Sequence, residues 1–193
     1  MSMRKKNNHQ NILMATVVLV TLALACDLPQ ITPVATTPPI PASTPTTSPG
    51  TIHGILWHEV CRFSGGEGGE PVVLGEGCVQ WGSAPEEFGP NQILDSFETG
   101  WEGVTLHLGA GACPSTGLAT TITDSAGEYR FEGLEPGTYC VSYSSLTDGN
   151  DAILIPGGPT YPERGETGYS QTVTLSSGEN KQVDFGYAWQ FYD

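Results

Sequence analysis

Apolar and polar positions alternate through the second half of the chain. Val104, Leu106 and Leu108 are interleaved with Thr105 and His107. Tyr129 and Phe131 alternate with Glu128, Arg130 and Glu132, and Tyr139, Val141 and Tyr143 continue the pattern. A period of two marks strands with one buried face. The turns between them are legible too. Asp124–Gly127 reads as one, and Pro136-Gly137 as another, with Pro setting φ and Gly free to take positive φ. The expected strands are Thr51–Trp57, a short one at Pro71–Leu74, Gly103–Leu108, Ala119–Thr123 with Ile122 inward, the two around Tyr129 and Val141, Thr172–Leu175, and Gln182–Tyr187 after a Ser177-Gly178 turn. Two long excursions interrupt them. Cys61–Asn91 is rich in Gly, Glu and Pro, and Ser144–Ser170 holds Ile153-Leu154-Ile155 and Pro156–Pro159. No stretch has a convincing helical period. The rhythm predicts an all-β fold, a single Ig-like, two-sheet sandwich of about seven strands over residues 51–193. Trp57, Phe131, Leu134, Tyr139, Val141, Val173, Leu175 and Phe185 are its expected core.

The first 50 residues follow different rules. Arg4, Lys5 and Lys6 precede an apolar run from Ile12 to Ala25. Its 14 residues are too few to span a bilayer comfortably and fit the core of a signal peptide, residues 1–25. The run ends Leu22-Ala-Leu-Ala-Cys26, which resembles the lipobox of bacterial lipoproteins. That resemblance implies a lipid on Cys26 through a thioether and cleavage just before it. The chain is then expected to be exported and held on the outer face of a membrane. Residues 26–50 read as a disordered linker. Of residues 27–50, seven are Pro and six Thr, with no aromatic and one charge. Such a segment buries too little apolar surface to offset chain entropy. In polyproline II form it reaches roughly 75 Å at ~3.1 Å per residue.

Charge and cysteines narrow the classes further. After removal of residues 1–25, four basic residues face 21 acidic ones, a net charge of −17. That excludes nucleic acid and an anionic lipid surface as partners of the domain. Cys61, Cys78, Cys113 and Cys140 form an even set in an exported domain, which implies two disulfides. Three pairings are open, and Cys61–Cys78 with Cys113–Cys140 is preferred. The first closes a Gly-rich loop, and the second ties the end of the Val104–Leu108 strand to the Tyr139–Tyr143 strand. His53 and His58 near Cys61 raise zinc as an alternative, but there is no C-x-x-C pair. No metal or cofactor is expected.

The run from Asp124 to Val141 has the pattern D-x-x-G-x-Y-x-F-x-x-L-x-P-G-x-Y-x-V. It resembles the signature of SdrD-like B domains, Cna B-type, prealbumin-like sandwiches of bacterial surface proteins. Thr172–Glu179 and Val183–Tyr187 resemble the family's closing V-T-L-x-x-G-E and V-D-F-G-Y. Gly54–Glu59 matches its opening G-x-V-W-x-D in part. The resemblance implies fold and location. Relatives often carry a Lys–Asn isopeptide bond, but no Lys lies between Lys6 and Lys181, so that bond is not expected. Relatives also bind calcium after the first strand, where His58-Glu59-Val60-Cys61 lacks the Asp spacing. Asp148–Asp151 and the pair Asp95 and Glu98 are loose acidic groups, read as solvated loops.

Enzyme motifs are absent: there is neither G-x-S-x-G nor H-E-x-x-H, and no catalytic residue is assigned. Trp81, Trp101 and Trp189 are the remaining candidates. Trp81, in the first excursion beside Glu86 and Glu87, is the one best placed to stack on a sugar or anchor a protein partner. Trp101 is expected to cover a sandwich edge and Trp189 to cap the carboxyl end. The reading is a lipid-anchored surface protein whose sandwich is a structural or adhesive module. A carbohydrate-binding module or an accessory subunit of an envelope complex is the alternative. An extracellular protein or a polysaccharide is the candidate partner.

Overall fold

The computed structural model describes residues 46–189. The signal peptide, Cys26 and nearly all of the linker lie outside the described residues. Strand β1, Gly50–His58, starts the domain. The first excursion then carries two small ribbons and a 3-10 turn. Phe63–Ser64 (β2) pairs with Val73–Leu74 (β3), and Cys78–Gln80 (β4) with Phe88–Pro90 (β5). Thr99–Gly100 (β6), Thr105–Ala110 (β7), Ala119–Ile122 (β8), Glu128–Leu134 (β9) and Gly137–Tyr143 (β10) follow. The second excursion holds a one-turn helix, Asp151–Leu154, and strand Gly157–Tyr161 (β11). Ser170–Leu175 (β12), Asn180–Gln182 (β13) and Phe185–Trp189 (β14) close the chain.

These strands form two main sheets. In the six-stranded sheet, β1 is central. It pairs in parallel with β13 and then β14 on one side, and antiparallel with β9 and then β6 on the other. β11 extends that sheet beyond β14. The second sheet has the order β12-β10-β7-β8, all antiparallel. Between them lies a core of Ile52 and Leu56 from β1, Leu106 and Leu108, Tyr129 and Phe131, Tyr139, Val141 and Tyr143, Val173 and Leu175, and Phe185 and Tyr187. All eight expected core residues are buried. Trp57 is buried outside the sandwich core. It stands on the opposite face of β1 and packs on Tyr161 with ring centroids 5.4 Å apart.

The strand count exceeds seven for identifiable reasons. The expected closing strand is two strands, because it breaks at Val183-Asp184. There Val183 N donates to His53 O (2.8 Å), and Ile55 N donates to the Asp184 carboxylate (3.0 Å). The break needs Gly54, since an added Cβ would lie 1.8 Å from Val183 O. β11 was hidden by its own composition. Gly157-Gly158-Pro159 reads as a loop, yet Pro is tolerated on an edge strand, where β11 lies. Ile122, expected inward, is 62% exposed. Register is the cause. Leu106 and Leu108 face the core, and their directly opposed partners on β8 are Thr121 and Ala119. Ile122 opposes Thr105 and takes the outer face. Finally, the last residues read as linker are already held by the domain. Ser48 N donates to Ser177 Oγ (2.9 Å), and Gly178 N donates to Ser48 O (2.8 Å).

Candidate functional site

The C-terminal end of β1 is where the first excursion, β11 and β14 meet, and it concentrates the unusual chemistry. Trp57 and Glu59 turn to one side of the chain, toward Gly186, and His58 to the other. His58 turns toward Trp101 and Trp189, with ring centroids at 4.6 Å and 5.9 Å. Burial holds its imidazole below the ordinary histidine value. Trp101 packs against the core, and its Nε1 donates to Tyr187 O (3.3 Å). Trp189 is 41% exposed and donates to Ile153 O (3.2 Å). With Phe63 and Arg62 it lines an open groove of about 810 Å³.

Glu59 is 1% exposed. Its Oε1 accepts from Gln92 N, and the Gln92 side chain in turn donates to Thr160 O. Gln92, just beyond the first excursion, thus bridges the end of β1 and β11. Glu59 Oε2, the Thr160 hydroxyl and Trp57 Nε1 are buried, and none makes a close, well-aligned hydrogen bond among the described residues. Glu59 Oε2 and the Thr160 hydroxyl both face Gly186, where an added Cβ would lie 2.8 Å from Thr160 Oγ1, 2.8 Å from the Trp57 ring carbon Cζ2 and 2.9 Å from Glu59 Oε2. Burial pushes the Glu59 carboxyl up to about 7. The Thr160 hydroxyl and the Gln92 N–H pull it back, while the nearby Glu98 and Asp95 carboxylates push it higher. Glu98 is also raised by burial, against the pull of two backbone donors, Val60 N (2.7 Å) and Asp95 N (2.9 Å). Asp95 accepts from the Asn91 side chain (2.9 Å). The segment 91–98 is therefore tied to the end of β1 through carboxyl groups. The sequence pattern gave no sign that Glu59 is buried. The available signals were its place two residues beyond Trp57 and its position at the acidic residue of the partly matched G-x-V-W-x-D opening.

The other expected site residues are placed as follows. Cys61 is bonded to Cys78, and Cys113 to Cys140, the preferred pairing. Trp81 does not offer an open platform. The Arg164 guanidinium, from the second excursion, stands 3.8 Å over its ring. The benzo edge lies so close to Gly89 that an added Cβ there would be 2.0 Å from the indole. Trp81 is thus a clasp between the two excursions, with one ring face already occupied by a cation. In the Asp148–Asp151 stretch, Asn150 is fully buried. It accepts from Thr105 N (2.8 Å) and donates to Thr105 O (3.0 Å) and Ser144 O (2.8 Å). Asp148 pairs with His107 at 2.9 Å, which holds its carboxyl below the ordinary value. These side chains brace the second excursion against β7. Among the described residues, no three His, Cys, Asp or Glu side chains converge as a metal site.

Comparison with known proteins places this architecture. Colossin-A of Dictyostelium discoideum is 39% identical over 63 residues, which is 33% of this chain and 1% of that protein. The crystal structure of GBS52, the minor pilin of the Gram-positive pathogen Streptococcus agalactiae, aligns with 76% of this chain and 47% of that one. The identity is 12% and the TM-score 0.38. The chain therefore spans a small fraction of the first protein's length and less than half of the second. The SdrD B-like domain model matches residues 87–187, more than half of the sequence, and the chain belongs to the SdrD B-like domain family.

Proposed function

We propose that this chain is a structural module displayed outside the cell, anchored by lipid at Cys26 and held clear of the membrane by its Pro/Thr stalk. The observation that carries the reading is the path of load through the domain. The first strand and the last pair side by side and in parallel, at Leu56–Phe185, Trp57–Gly186 and His58–Tyr187. Tension between residues 46 and 189 therefore shears that ladder, so its hydrogen bonds are loaded together and not one by one. β13 adds three further parallel pairs from Thr51 to His53. The Asp184 carboxylate and Val183 N–H close the gap between the two ladders. Two disulfides clip loops that lie outside this path. Such a module suits a spacer or adhesive role, with an extracellular protein or polysaccharide as partner.

The anchoring part is tested by fractionation and surface labelling of intact cells. The wild-type chain is expected in the membrane fraction and open to an impermeant label. Cys26→Ser is expected to leave the membrane fraction. Unchanged fractionation of that variant would refute lipid anchoring.

A further inference from the structure

The carboxyl of Glu59, at the end of β1, is buried without a cation partner among the described residues. We propose that Glu59 is a proton-operated latch: neutral, it fastens segment 91–98 and β11 to β1, and ionised, it lets segment 91–98 go. The geometry supplies both halves of the device. On the closed side, Glu59 Oε1 accepts from Gln92 N, and the Gln92 side chain donates to Thr160 O. Oε2 faces the Thr160 hydroxyl, which donates to a carboxylate or accepts from a carboxylic acid and so leaves the burial of a charge there only partly offset. On the open side, an ionised Glu59 would be a buried charge without a cation. No Lys, Arg or His among the described residues forms an ion pair with it. The segment it fastens contributes Glu98 and Asp95, which repel its charge. β11 contributes the neutral Thr160 and Tyr161. β14 contributes Gly186 and, through its backbone, Tyr187, whose O accepts from Glu59 N (2.9 Å). Arg62 is engaged elsewhere, with Glu76 at 3.2 Å and over the Phe97 ring at 4.2 Å. Burying a lone charge is costly, so the closed state must hold the proton. The held segment carries Ile93 and Leu94, which are exposed, so the latch governs how those side chains are presented.

Amide exchange of the Gln92 and Val60 N–H groups, corrected for the intrinsic effect of pH, tests the proposal. One proton separates the closed and open states. Opening should therefore increase by about tenfold per pH unit between roughly pH 5 and 7, and level off above that. In Glu59→Gln the neutral amide keeps the contact, and the profile should be flat. Glu98→Gln removes a repelling charge and should move the upper limit of the window to lower pH. A flat wild-type profile overturns the latch, as does the same slope in Glu59→Gln. Should Glu59→Gln fail to fold, the wild-type slope and the Glu98→Gln displacement still decide the matter.

Discussion

Replacing Gly54 with Ala puts one methyl group where the fold has no room. The new Cβ would lie 1.8 Å from Val183 O, 2.6 Å from Val183 C and 2.9 Å from Asp184 Oδ1. Two of these are backbone atoms of a paired strand, so no rotamer change relieves the clash. β1 must move away from the β13–β14 junction instead. That movement breaks the bond from Val183 N to His53 O and the bond from Ile55 N to the Asp184 carboxylate. The first is worth about 1 kcal/mol net, and the second, to a charged acceptor, about 2 kcal/mol. Overpacking adds about 1–3 kcal/mol. The expected loss is about 4–6 kcal/mol, a large share of a typical domain stability of roughly 5–15 kcal/mol. In urea unfolding with the disulfides intact, a slope of about 2 kcal/mol/M turns this into a midpoint about 2–3 M lower. Gly158→Ala is the control, because its Cβ would meet nothing within 4 Å. It should stay within about 1 kcal/mol of wild type, on the stabilising side if anything. A Gly54→Ala midpoint within about 0.5 M of wild type would refute the reasoning.

Three further outcomes follow from the structure. The Glu59 carboxyl is raised from 4.5 to about 7 in the fold, so the folded state binds more protons than the unfolded one between those values. Its stabilisation is complete below about pH 4.5 and is lost as pH rises to about 7, by about 3 kcal/mol. In Glu59→Gln, denaturation midpoints should lose this part of the pH dependence. Replacing both Cys113 and Cys140 by Ser opens a loop of 27 residues and should cost about 3–4 kcal/mol by the chain-entropy estimate, read from thermal unfolding. Asn150→Ala strands Thr105 N, Thr105 O and Ser144 O, and should cost about 2–4 kcal/mol in urea unfolding, with faster amide exchange across the second excursion.

The sandwich was legible because its strands are half-buried and punctuated. Tyr129 and Phe131, Tyr139 and Val141, and Val173 and Leu175 alternate cleanly between turns, and each faces the core. The disulfides were legible because each pair lies close along the chain or at ends of adjacent strands. What stayed hidden depends on pairing partners that local pattern does not encode. Ile122 obeys the alternation of its own strand, but its side is set by register with β7. Gly157–Tyr161 lacks strand composition and is held by β14. Trp81 sits in a loop as expected. Arg164, more than 80 positions further on, covers its ring. Glu59 is ordinary in sequence and becomes unusual only because two excursions close over it.

The first and last strands pair in parallel in the middle of the domain, which puts their ladder in shear under end-to-end load. Single-molecule pulling in two directions tests it most directly. Attachment at residues 46 and 189 loads the parallel β1–β14 pairing in shear. Attachment at 46 and 135 peels β1 from β9, because Gly50 and Leu134 lie at the same end of that antiparallel ladder. The first geometry should rupture at a clearly higher force than the second at equal loading rate. Equal forces, or a weaker end-to-end direction, would contradict it.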